Sequence, residues 1–172
     1  VHALVTGGAR GIGEAVARSL LAQGARVTLL GRNQATLASG AHALAAHGEV
    51  AWVSADISDA AAVAAAFARA AGRFGPVQVL VNNAGQALSA PFGKTDSALW
   101  QQMIDVNLTG TFHCISAALP SMLSAGWGRI VNVASTAGLI GYPYVTAYCA
   151  AKHGVVGLTR ALALEVAKKG GT

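Results

Sequence analysis

Short runs of β-branched and leucine-rich positions alternate with longer alanine-rich stretches along the whole chain. Residues 2–6 predict a strand, and residues 12–23 a helix ended by Gly24. Residues 26–30 predict the second strand and 34–47 a helix ended by Gly48. Residues 50–55 follow as strand and 59–73 as helix, with Ser58 as a plausible cap. Residues 77–82 predict the fourth strand. Residues 97–125 are expected to be mostly helical, interrupted or ended near Pro120. Residues 129–134 close the strand series, and 146–169 read as a last long helix.

Five apolar strands alternating with helices imply right-handed crossovers and a parallel sheet. Near-continuous apolar strands are expected where helices cover both faces. The pattern is an α/β doubly wound sheet in one domain over residues 1–172, with no linker, repeat or low-complexity segment. Such sheets usually carry six or more strands, so one edge is expected to be incomplete.

The turn after the first strand reads Thr6-Gly7-Gly8-Ala9-Arg10-Gly11-Ile12-Gly13 and enters a helix at once. Glycines there allow a tight turn and let backbone N–H groups approach a pyrophosphate, which the positive helix end attracts. Gly7, Arg10, Gly11, Ile12 and Gly13 are therefore candidate contacts to a dinucleotide. The second strand ends Leu29-Leu30-Gly31-Arg32. A site for NAD(H) places an acid near this position to bind the ribose 2′-hydroxyl. Gly31 instead leaves room for a phosphate, and the forked guanidinium of Arg32 suits it, with Arg10 approaching from the glycine turn. This predicts NADP(H), with NAD(H) as the alternative.

Tyr148 and Lys152 stand four apart on the last helix and share a face. An ammonium beside a phenol favours the phenolate, so the pair suits proton exchange with a carbonyl or alcohol oxygen. Ser135 lies just past the fifth strand, where ligands of such sheets collect, and its hydroxyl can polarise the same oxygen.

Taken in order, TGGARGIG, Asn82-Asn83-Ala84-Gly85, Asp105-Val106-Asn107-Leu108, Ser135 and Tyr148-Cys149-Ala150-Ala151-Lys152 resemble the motifs of the short-chain dehydrogenase/reductase family, over nearly the whole chain. The resemblance implies a Rossmann-type fold and four catalytic residues. Tyr148 would be the acid/base. Lys152 would support it and hold the nicotinamide ribose. Ser135 would orient the substrate oxygen, and Asn107 would support a water-mediated proton relay from Lys152. It further implies that Asp56, followed by Ile57, contacts adenine and that Asn83, Ala84 and Gly85 bring backbone against the adenosine half. The implied partner is a small-molecule carbonyl or alcohol, with 3-oxoacyl reductases, 3-hydroxyacyl-CoA dehydrogenases and polyketide ketoreductases closest in pattern. Leu139, Ile140, Tyr142, Pro143 and Tyr144 are expected to form an apolar wall near the reacting carbon. The family's last strands, a Pro-Gly loop and a substrate-covering segment do not occur in this sequence.

Composition narrows the alternatives. The chain has 172 residues, of which 53% are hydrophobic and 11% charged, enough for a buried core. No apolar run reaches the ~20 residues that span a bilayer, and the first residues lack the features of a secretory signal. Cys114 and Cys149 are isolated, and His2, His42, His47, His113 and His153 form no metal-spaced cluster. These features predict a cytoplasmic, metal-free protein. The net charge of +5 comes from scattered arginines, which argues against nucleic acid as the partner. Val155, Val156, Leu158, Leu162, Leu164 and Val166 surround the last helix rather than forming one stripe, which predicts a homo-oligomer, a dimer or a tetramer of dimers. Two other functions share this fold: a dinucleotide-binding sensor or scaffold, and an inactive truncated fragment of the enzyme.

Overall fold

The computed structural model describes residues 1–169. Five parallel strands form one sheet in the order β3-β2-β1-β4-β5: β1 (His2–Thr6), β2 (Arg26–Gly31), β3 (Val50–Ser54), β4 (Val79–Asn82) and β5 (Arg129–Asn132). The helices are α1 (Gly11–Ala22), α2 (Gln34–Leu44), α3 (Ala60–Phe74), α4 (Ser97–Ile104), α5 (Gly110–Ser124) and α6 (Thr146–Val166).

Successive residues of β1 point to opposite faces, and all are buried. Ala3 and Val5 join Ala17 and Leu21 of α1 and Leu37 and Leu44 of α2 in one core layer. Leu4 joins Val63, Phe67 and Ala70 of α3 and Cys114, Ile115 and Met122 of α5 in the other. The expected three-layer arrangement therefore holds around β1. It fails at β5, where alternate positions are exposed and Val131 is 51% accessible.

The chain leaves β1 towards β2 and β3 on one side, then returns to place β4 and β5 on the other. The order reverses at β1, so the C-terminal ends of β1 and β4 mark the switch point of the sheet, the usual ligand position in such folds.

Two local expectations are corrected. Asp59, not Ser58, caps α3, its carboxylate accepting from the N–H groups of Ala61 and Ala62 at 2.9 and 3.0 Å. Ser58 turns back to Asp56 instead. Pro120 neither ends nor interrupts its helix but lies inside α5. Its missing N–H would serve the carbonyl of Ser116, and both residues are on the solvent side, where water can replace the bond. The interruption falls earlier, at residues 105–109, where one turn widens to π geometry. There the side chain of Asn107 donates to the carbonyl of Met103 at 3.0 Å.

Candidate active site

The glycine turn is built by mutual support between the two diverging loops. The hydroxyl of Thr6, the last residue of β1, accepts from the N–H groups of Asn83 and Ala84 at 3.0 and 2.9 Å. In return the Asn83 amide donates to the carbonyls of Thr6 and Gly7 at 3.1 and 3.3 Å. Gly7 takes a left-handed φ of 63° to make the turn. Gly13 is buried, and a Cβ on it would run into the carbonyl of Gly7 and the amide of Asn83. The α1 N-cap, Arg10, offers no side-chain hydrogen bond to the first turn, so the backbone donors there have no capping side chain. Arg10 and Gly11 are exposed, and Ile12 leaves 67% of its surface open at the mouth of the turn. A cradle that no side chain fills, with uncapped N–H donors behind it, fits a pyrophosphate.

Next to this cradle, Arg32 follows β2 and Asp56 follows β3. Arg32 Nη1 lies 3.7 Å from Asp56 Oδ2, with both side chains substantially exposed. The other carboxylate oxygen accepts from the N–H of Ser58 at 2.9 Å and from its hydroxyl at 2.7 Å. The Asp56 carboxyl sits below the ordinary carboxylate value: partial burial pushes it up, but the two Ser58 bonds and the Arg32 charge together outweigh that. The three atoms nearest a Cβ on Gly31 all belong to Leu37, the closest at 3.4 Å. Ile57 points inward against Gly110, and its carbonyl is bonded to His113 at 3.0 Å.

The residues expected to react lie around the ends of β4 and β5. Lys152 is 5% exposed, and its Nζ donates to the carbonyl of Val133 at 2.9 Å. The same Nζ lies 5.8 Å from the centre of the Tyr148 ring one turn earlier on α6. Burial lowers the pKa of Lys152. Ser135, half-buried, caps a short turn by accepting from the N–H of Ala137 at 3.1 Å, which leaves its own O–H free to donate elsewhere. Asn107 is fully buried. It accepts from the N–H of Gln86 at 3.1 Å and donates to the Gln86 carbonyl at 2.8 Å, holding the chain just after Gly85. A Cβ on Gly85 would lie 2.8 Å from Asn107 Oδ1 and 3.7 Å from Lys152 Nζ, so both polar groups approach one point.

Several contributors carried no role in the sequence reading. Thr6 was part of the glycine motif, yet its clamp on the distant Asn83 and Ala84 depends on sheet order. Gln86 acts through its backbone, which no side-chain pattern reports. Phe92, 74% exposed, sits on the β4–α4 loop, while Leu139, Ile140, Tyr142 and Tyr144 of the expected apolar wall are also exposed. The N–H of Ala90 donates to the carbonyl of Tyr144 at 2.8 Å and ties these two loops together. Tyr144 has a left-handed φ of 68°, which a side chain of this size adopts only at a cost.

Of the histidines, His2, His113 and His153 bond to backbone carbonyls, and no group of three metal-ligating side chains exists among the described residues. No described helix is long and apolar enough to cross a membrane.

Residues 1–170 match the family model described as short chain dehydrogenase. The chain is 40% identical over 173 aligned positions to D-beta-hydroxybutyrate dehydrogenase of Rhizobium meliloti, covering 99% of this chain and 67% of the relative. It is 43% identical to 2-dehydro-3-deoxy-L-rhamnonate dehydrogenase (NAD(+)) of a Sphingomonas species, covering 98% and 67% respectively. Among solved structures, a variant of actinorhodin polyketide ketoreductase crystallised with NADPH superposes with a TM-score of 0.97 at 40% identity, covering 99% of this chain and 67% of that one. The chain thus spans about two-thirds of the length of the proteins it matches.

Proposed function

The chain belongs to the short-chain dehydrogenase family, and on that premise we propose that the protein interconverts a carbonyl and a secondary alcohol with NADP(H). The observation that carries this reading is the buried Lys152 ammonium set beside the Tyr148 ring at the sheet end that also carries Ser135. When bound, the dinucleotide supplies the hydride acceptor or donor. The remaining work falls to the chain. Ser135 donates a hydrogen bond to the substrate oxygen. Tyr148 gives that oxygen a proton in reduction and takes one in oxidation. Lys152, fixed by the Val133 carbonyl, supports the phenol with its charge and would hold the ribose hydroxyls of the coenzyme. Asn107 holds the Gly85–Gln86 backbone near Lys152 and would support a water-mediated proton relay from it.

Gly31 and Arg32 support NADP(H), as does the NADPH-bound ketoreductase relative; the NAD(+)-named relative supports NAD(H) as the alternative. The apolar rim from Phe92 to Tyr144 and the named relatives support a 3-oxoacyl thioester or a related ketone. Leu164 of α6, 84% exposed, and Phe112 of α5, 52% exposed, support self-association through these two helices.

The test follows absorbance at 340 nm for the full-length protein with 3-oxoacyl thioesters, simple ketones and sugars, beside Tyr148→Phe. Turnover of thioesters, with kcat of the variant below a tenth of wild type and coenzyme affinity within a few-fold, is the expected result. A variant retaining a tenth or more of wild-type kcat sinks the assignment of Tyr148.

A further inference from the structure

We infer that Asp56 tempers the choice between the two coenzymes, because its carboxylate competes with a ribose 2′-phosphate for Arg32. This rests on the reading of Arg32 as the phosphate-binding residue.

Asp56 Oδ1 is occupied by two bonds from Ser58, so its position is set by the turn that follows β3 rather than by Arg32. Oδ2 is the oxygen that faces the guanidinium, at 3.7 Å. That separation is too long for a paired, forked contact, and Arg32 keeps 66% of its side chain exposed. The carboxylate therefore does little to order Arg32 for a ligand. Its effect is electrostatic: it neutralises part of the charge that a phosphate would use, and it stands as a like charge beside that phosphate. NAD(H), with a neutral hydroxyl there, meets neither penalty. A carboxylate below its ordinary pKa is ionised throughout the neutral range, so the competition does not switch off there.

Asp56→Asn isolates the effect. The amide keeps an oxygen to accept from Ser58 and removes only the charge. Any contact between residue 56 and adenine is common to both coenzymes, so it cancels in the ratio of their dissociation constants. Exposed ion pairs contribute about 0.2–1 kcal/mol, so the Kd ratio NAD+/NADP+ is expected to rise roughly 1.4-fold to fivefold in Asp56→Asn.

The experiment is calorimetric titration of the full-length protein with NADP+ and NAD+ in wild type, Asp56→Asn, Arg32→Ala and the double variant. The expected pattern is a raised ratio in Asp56→Asn, a lowered ratio in Arg32→Ala, and a smaller rise on adding Asp56→Asn to Arg32→Ala. A lowered ratio in Arg32→Ala with no rise in Asp56→Asn overturns the inference and leaves the coenzyme assignment standing. An unchanged ratio in Arg32→Ala overturns the coenzyme assignment itself. A rise in Asp56→Asn of the same size with and without Arg32 overturns competition for that guanidinium.

Discussion

Replacing Thr6 by valine keeps the shape of the side chain and deletes one oxygen. That oxygen accepts from two backbone donors, Asn83 N at 3.0 Å and Ala84 N at 2.9 Å, at partly buried positions where the β1 and β4 loops meet. Leaving a buried donor unpaired costs about 1–3 kcal/mol, so two partly shielded ones predict a loss of roughly 2–4 kcal/mol. Against a total stability of about 5–15 kcal/mol this is a large fraction. For a domain of this size it corresponds to a fall in Tm of roughly 5–15 °C. Thr6→Ser keeps the acceptor and loses one buried methyl, about 0.8 kcal/mol. The assay is urea denaturation of the full-length protein with wild type and both variants. Because the same N–H groups fix the backbone that faces the adenosine half of a coenzyme, Thr6→Val is also expected to weaken NADP+ binding by more than Thr6→Ser does. A valine variant within 1 kcal/mol of wild type, or a serine variant as damaged as the valine, refutes the clamp.

Two further outcomes follow from local geometry. Gly13→Ala drives a methyl into the Gly7 carbonyl and is expected to cost about 1–3 kcal/mol and raise the Kd for NADP+ by at least about tenfold, whereas Gly72→Ala, in the last turn of α3 with nothing near its Cβ, is expected to gain about 0.5–1 kcal/mol. NADP+ titration and thermal melts check both, and near-equal affinity of Gly13→Ala and wild type contradicts the cradle. His2 is buried between the carbonyl of Gly75 and the hydroxyl of Thr28, and burial, aided by Arg26, holds its imidazole below 6.5. The unfolded chain therefore takes up this proton first, so the stability contributed is full above pH 6.5 and declines as pH falls below it. Asp56, held below 3.8, acts with the same sign but only at more acid pH. Urea midpoints at pH 7.5 and 5.0 should separate less in His2→Gln than in wild type, and an equal separation rules out His2 as the cause.

Local pattern alone determined much of this molecule. Strand-length apolar runs alternating with helices closed by Gly24 and Gly48 announce the α/β alternation, because helix-ending glycines and buried parallel strands are local signals. The glycine spacing after β1 and the four-residue step from Tyr148 to Lys152 are legible for the same reason: a turn and a helix each set their own geometry over a few residues. What the sequence could not carry is pairing between distant segments. Thr6 and Asn83 are 77 positions apart and meet only because β4 returns beside β1. Asn107 reads as a polar residue in a helix until the widened turn and the Gln86 backbone are placed against it. Pro120 reads as a breaker until its carbonyl partner is seen to face solvent. Arg32 and Asp56 each look like an independent coenzyme contact, and only the adjacency of β2 and β3 brings them to 3.7 Å, where the charge of one offsets the other. Turn and helix signals act over a few residues of chain, whereas hydrogen bonds and charges act across a few ångströms of space, and it is the sheet order that converts the one distance into the other.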